Sequence, residues 1–217
     1  MLPAVRLITD SDSNFSFWGL SAKEIEYMDD VLDEIPAPLA AMPHHPLIKK
    51  SFIHVTPVPH GAAGRFRPPG MVLNVYYASR YIPTAVYESV YYFLRERLGN
   101  NFSPKELKKI AFGVELDSQH FHNVLTHPNV TKIMSKTNYS ESHQYYINNQ
   151  NMRGVIYPSC RDVNAGKKNF AVMDINCIKP NIIKIDNLTF SFLAPDICHV
   201  KNLTEKINVQ LKWSDVS

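Results

Sequence analysis

At 217 residues and 24.8 kDa the chain suits one substantial domain, and a chain of this size buries about 70% of its unfolded surface without staples. Its composition, 45% hydrophobic and 20% charged with 8 Gly and 15 Pro, excludes whole-chain disorder, collagen and coiled coil. Cys160, Cys177 and Cys198 form no Cys-x-x-Cys pair, no apolar run reaches 18 residues, and the first twenty residues lack a signal-peptide core, which together predict a cytoplasmic protein with no membrane contact.

The net charge of +3 is unevenly spread. Residues 1–40 hold eight acids against Arg6 and Lys23, a net of −6, which leaves +9 for the remainder. Ser21-Ala22-Lys23-Glu24 has capping-box spacing and predicts an acidic helix over about 22–34. Pro36, Pro38, Pro43 and Pro46 then predict a rigid connector without helix. On this reading residues 1–46 are an acidic lead segment that docks on the basic body or on a second copy, and 47–217 are the main domain. A strand is expected over 51–58 and a buried one over 71–78. The strongest helix runs from Thr84 to Leu98, closed by Gly99, and Ser103-Pro104-Lys105-Glu106 opens a second, short helix. Further strands are expected at 111–117, 154–158, 169–175, 181–192 and 206–213, with helix and loop over 127–150. Strands outnumber helices without alternating with them, so the expected class is α+β, a mixed or antiparallel sheet with flanking helices.

Three segments carry chemistry-bearing side chains. Gly64-Arg65-Phe66-Arg67-Pro68-Pro69-Gly70 leads into Val72-Leu73-Asn74-Val75-Tyr76-Tyr77-Ala78-Ser79. Thr84-Ala85-Val86-Tyr87-Glu88 opens the long helix, and Gly154-Val155-Ile156-Tyr157-Pro158-Ser159-Cys160-Arg161-Asp162 precedes Gly166 and a strand from Asn169. Taken singly, Arg65 reads as a loop arginine and Ser159 as a turn serine. Thr84, Glu88 and Arg95 read as a solvated helix stripe. His120, His122 and His127 lack a carboxylate set, so no metal is expected.

In this order, the segments resemble the RES domain, named for its Arg, Glu and Ser, over roughly residues 47–180. The corresponding positions are Arg65 in a Gly-Arg-Phe loop, Tyr76 before Tyr77-Ala78-Ser79, Ala85 with Glu88, and Tyr157-Pro158-Ser159 with Arg161. Two positions depart from the family pattern: Phe52-Ile53-His54 replaces an aromatic-Arg pair, and Arg67 stands where Asn or Ser is usual, so that either Arg65 or Arg67 is the functional arginine. The resemblance implies a fold akin to ADP-ribosyltransferases and an enzyme that degrades NAD by breaking its nicotinamide–ribose bond. It implies a toxin neutralised by an Xre-type antitoxin, with nucleic acid reached only through that partner, and a possible homo-oligomer. Water, phosphate or a protein would accept the ADP-ribose. The implied catalytic residues are Glu88, Arg65 and Ser159, and NAD as substrate would meet Tyr76, Arg65, Arg67, Tyr157 and Arg161. A catalytically silent interaction module is the alternative from another class.

Overall fold

The computed structural model describes residues 1–9, 37–52, 64–71, 73–99, 106–162, 164, 166–202, 204 and 207–217. The expected acidic helix over 22–34 and His54 lie outside these residues. Among the described residues nine strands form one sheet: β1 (Leu2–Thr9), β2 (Tyr76–Ser79), β3 (Glu106–Leu116), β4 (Phe121–Asn123), β5 (Gly154–Pro158), β6 (Lys168–Val172), β7 (Lys184–Ala194), β8 (Ile197–Asn202) and β9 (Ile207–Lys212). Their order is β4-β5-β6-β2-β1-β3-β7-β8-β9, antiparallel throughout except for the parallel pair β4–β5. Helices α1 (Ala37–Ala40), α2 (Pro46–Lys50), α3 (Ile82–Gly99), α4 (Val130–Ile133), α5 (Ser140–Asn148) and α6 (Trp213–Val216) flank it. The α+β class with a mixed sheet is therefore the observed one. Among the described residues no helix is long and apolar enough to cross a membrane.

The sheet buries both faces, which explains its sequence pattern. On one face α3 packs Val86, Val90 and Leu94 over Ala111, Leu188 and Phe190. On the other, Ile48 and Phe52 cover Ala4, Phe112 and Phe170. A third cluster joins Phe66, Ile133 and Tyr146 to Val155 and Ala171. Fully burying one such large apolar side chain stabilises by roughly 1.5–3 kcal/mol.

Several expectations are corrected. Residues 2–9, assigned to a lead segment, form a strand inside the sheet, paired with β3 along its whole length and with β2 at Val5–Ser79. Val5 and Leu7 pack toward α3 while Ala4 and Ile8 pack the other way, so the strand is apolar on both faces around a half-buried Arg6. The proline-rich stretch is not free of helix. Pro46 begins α2, where its missing N–H is one of the free first-turn groups, and His45 caps that helix by accepting from Leu47 N at 3.2 Å. Ser51 and Phe52 end α2 rather than start a strand, and β2 is confined to 76–79. Glu106 opens β3, not a helix turn. Strands β4 and β8 were not anticipated; β8 turns His199 and Lys201 outward and Cys198 and Asn202 inward, which mutes its apolar signal. Gly154 is required by packing, because a Cβ there would lie 2.6 Å from the Phe121 ring.

Candidate active site

The centre of α3 supplies the site. Thr84, wholly buried, donates to Asp162 Oδ2 at 2.8 Å and ties the helix start to the turn after β5. Ala85, Glu88, Tyr92 and Arg95 recur at helical spacing and line a cavity of about 600 Å³, within the range typical of ligand sites. Glu88 therefore faces the cavity and is half-buried, not part of a solvated stripe. Its Oε1 accepts from Ser159 Oγ at 2.7 Å and from Asn169 Nδ2 at 2.6 Å. Ser159 Oγ in turn accepts from the backbone N–H groups of Arg161 (3.2 Å) and Asp162 (3.0 Å). With its proton on Glu88 and its lone pairs on two amides, this hydroxyl is fully engaged.

Arg65 is aimed by a tight turn in which Gly64 and Arg67 exchange backbone hydrogen bonds of 3.3 and 3.0 Å. Phe66, at the turn's crest, has φ 61°, a left-handed conformation costing about 1–2 kcal/mol for a side chain of this kind. Its ring holds it there, buried and edge-on to Tyr157 (5.3 Å) and Tyr145 (6.2 Å). Gly64 admits no side chain, since a Cβ would stand 2.8 Å from the Tyr77 hydroxyl. The Arg65 guanidinium donates to Ile133 O and Ser135 O, both at 2.9 Å, and lies 4.7 Å over the Tyr139 ring. Arg161 is buried, 3.3 Å over Tyr91, and donates to Lys136 O (2.9 Å) and Val216 O (3.3 Å). Trp213 stacks on the same Tyr91 at 5.4 Å.

Glu88, Arg65, Tyr157 and Arg161 thus share one cavity, with Ser159 directly behind Glu88. Two expected ligand residues lie elsewhere. Tyr76 is wholly buried in the core, stacked on Phe52 at 5.6 Å, with its hydroxyl unpartnered and burial holding its pKa far above the ordinary phenol value. Side chains alternate along a strand, so it is Tyr77 that lines the cavity, its hydroxyl donating to Arg65 O. Arg67 is buried under the turn, donating from Nε to Leu73 O at 3.0 Å, and is not on the cavity wall. Of the two candidate arginines, the cavity takes Arg65.

The walls also contain residues that sequence reasoning passed over. Arg6 arrives from β1 and donates to Tyr77 O at 2.6 Å; Lys109 comes from β3; Asn169 opens onto the cavity from β6. Four cationic residues (Arg65, Arg95, Lys109, Arg161) line the cavity with Glu88, the one carboxylate among the described lining residues, while the Arg6 guanidinium lies 5.1 Å over the core ring of Tyr76. Burial, followed by the charge of Glu88, raises the Tyr157 pKa and keeps that phenol neutral. Burial likewise pushes the Cys160 thiol up against the pull of Arg65, and its Sγ donates to Met134 O. Of the three histidines singled out in the sequence, two pack on Tyr145: His122 Nδ1 lies 3.3 Å from its hydroxyl and His127 is edge-on at 5.4 Å, while His120 is exposed. Among the described residues no group of three His, Cys, Asp or Glu could hold a metal ion.

The RES domain family model matches residues 38–192, well over half of the chain. The chain belongs to the RES domain family. That family is associated with NAD-degrading toxins and with NAD-related enzyme activity. The match includes every element on the Arg65, Glu88 and Ser159 side of the cavity, while Arg6, from β1, and the Trp213 stack lie outside it. No curated protein matches the RES chain.

Proposed function

We propose that this RES protein binds NAD in the Glu88 cavity and breaks the N-glycosidic bond between nicotinamide and ribose. The observation that carries the reading is a carboxylate held at Oε1 by two donors, with its second oxygen left for a ligand, in a cavity lined by Arg65, Arg95, Lys109 and Arg161. As the bond breaks, its electron pair leaves on the nicotinamide nitrogen and the ribose gains oxocarbenium character. Glu88 Oε2 lies where that positive charge is stabilised, and an interaction that strengthens only as the charge develops is what raises the rate. The cationic wall fits the pyrophosphate, for which arginine forks are suited. The rings of Tyr77, Tyr92 and Tyr139 offer faces to flat heterocycles. Along α3 the cavity runs from Ala85 to Arg95, ten residues or about 15 Å of helix, room for an extended dinucleotide.

Ser159 acts in this reading by holding Glu88, not as a nucleophile. Water, phosphate or a protein side chain receives the ADP-ribose, and an Xre-type antitoxin restrains the enzyme in the cytoplasm. The test is incubation of purified protein with NAD, with and without phosphate and protein acceptors, while free nicotinamide is followed by chromatography. Nicotinamide release is the expected result. No release under any of these conditions contradicts the reading and favours a silent interaction module.

A further inference from the structure

We infer that Asn169 is a positioning residue for Glu88, and that Ser79 fixes the orientation of its amide. The inference rests on the NAD reading for its kinetic consequence, but not for its geometry. Ser79 and Asn169 are directly opposed on β2 and β6, so their side chains leave the sheet on the same face, the one that meets α3. Both are buried, at 4% and 3% exposure. An ionised carboxylate can only accept, so the amide nitrogen of Asn169 must face Glu88 Oε1, as it does at 2.6 Å. The amide oxygen is then turned back, and Ser79 Oγ donates to it at 2.7 Å. A flipped amide would set oxygen against oxygen at Glu88, and the Ser79 hydroxyl stabilises the unflipped form.

The consequence concerns which oxygen reacts. Glu88 has three side-chain torsions, and a helix alone does not select among their combinations. Donors from two other places in the fold, β6 and the turn after β5, converge on Oε1 and leave Oε2 toward the cavity. Ser159 is itself pinned by two backbone amides, and Asn169 by Ser79, so each donor is backed by a second hydrogen bond. A misplacement of about 1 Å at a reacting group costs on the order of 10²-fold in rate.

The test has a structural and a kinetic arm. In the first, the Asn169 side-chain amide resonances are assigned by their loss in Asn169→Ala and followed in Glu88→Gln and in Ser79→Ala. Both substitutions are expected to move them; resonances that stay in place in either variant overturn the inference. In the second, nicotinamide release is measured for Asn169→Ala, Ser79→Ala, Ser79→Thr and the double alanine variant. Asn169→Ala is expected to lose about 10–100-fold in kcat with KM within about threefold, because Glu88 is displaced while the binding walls remain. Ser79→Thr keeps the hydroxyl and the rate. Ser79→Ala adds nothing to Asn169→Ala, because it acts only through that amide. Additive losses, or a loss confined to KM, overturn the inference. Wild-type protein that releases no nicotinamide contradicts the NAD reading instead, and the amide resonances then decide the relay by themselves.

Discussion

Glu88→Gln isolates charge from shape at the centre of the site. Glutamine keeps an oxygen that accepts from Ser159 Oγ and Asn169 Nδ2, and those two donors orient it so that its new NH2 group takes the place of Oε2. The fold is therefore retained, with a change in stability of about 1 kcal/mol or less, since a charge-assisted pair of bonds becomes a neutral pair. The loss falls on the reaction. A unit charge about 4 Å from a developing cation contributes about 4 kcal/mol at an effective dielectric constant of about 20. Only part of a full charge develops before bond breakage, so a loss of about 10²–10³ in kcat is expected, near that for removing one preorganised group from an oxyanion hole. KM should hold or fall, because the cavity's cations keep their anionic ligand and lose the carboxylate that opposes it. The assay is nicotinamide release against NAD concentration, with thermal denaturation as the control for folding. A folded Glu88→Gln protein within tenfold of wild-type kcat would refute the electrostatic reasoning.

Ser159→Ala removes a donor from Glu88 and the acceptor of two backbone N–H groups, so a loss of about 1–3 kcal/mol in urea unfolding is expected together with at least a tenfold fall in kcat; unchanged values contradict its placement. Tyr76→Phe deletes a buried hydroxyl that has no partner and should leave the rate unchanged, with stability equal or higher by up to about 1–3 kcal/mol, whereas Tyr77→Phe releases the Arg65 carbonyl and should lower kcat/KM. A rate loss in Tyr76→Phe with none in Tyr77→Phe would reverse the assignment. Cys160, whose pKa is raised by burial, is protonated at pH values where a free thiol is already partly ionised. Its alkylation should lag behind a model thiol at pH 8 and rise at higher pH; rapid modification at pH 7 contradicts this.

Much of the fold was legible where local pattern and burial agree. The long helix α3, the strand at 154–158 and the paired regions around 168–172, 184–194 and 207–212 carry apolar periodicity that matches their faces. Strand β1 was not legible, since its proline and its arginine interrupt the apolar signal, and only its pairing with β2 and β3 shows that it runs inside the sheet. The joint pattern of Arg65, Glu88 and Ser159 pointed to one place although each residue alone was ordinary. The choice of Tyr77 over Tyr76 depended on which face of a four-residue strand meets Phe52 and Phe112, a tertiary fact. Arg67 was lost to the backbone carbonyl of Leu73, which has no sequence signature. Asn169 gains its meaning only from a strand pairing that sets it opposite Ser79, 90 residues away.

The central claim is that position 88 meets the nicotinamide ribose, and a structure of the Glu88→Gln protein with NAD bound tests it most directly. The account predicts the ribose within hydrogen-bond reach of side chain 88 and the pyrophosphate against Arg65 or the cations beyond it. A dinucleotide bound on another face, with this cavity empty, would contradict it.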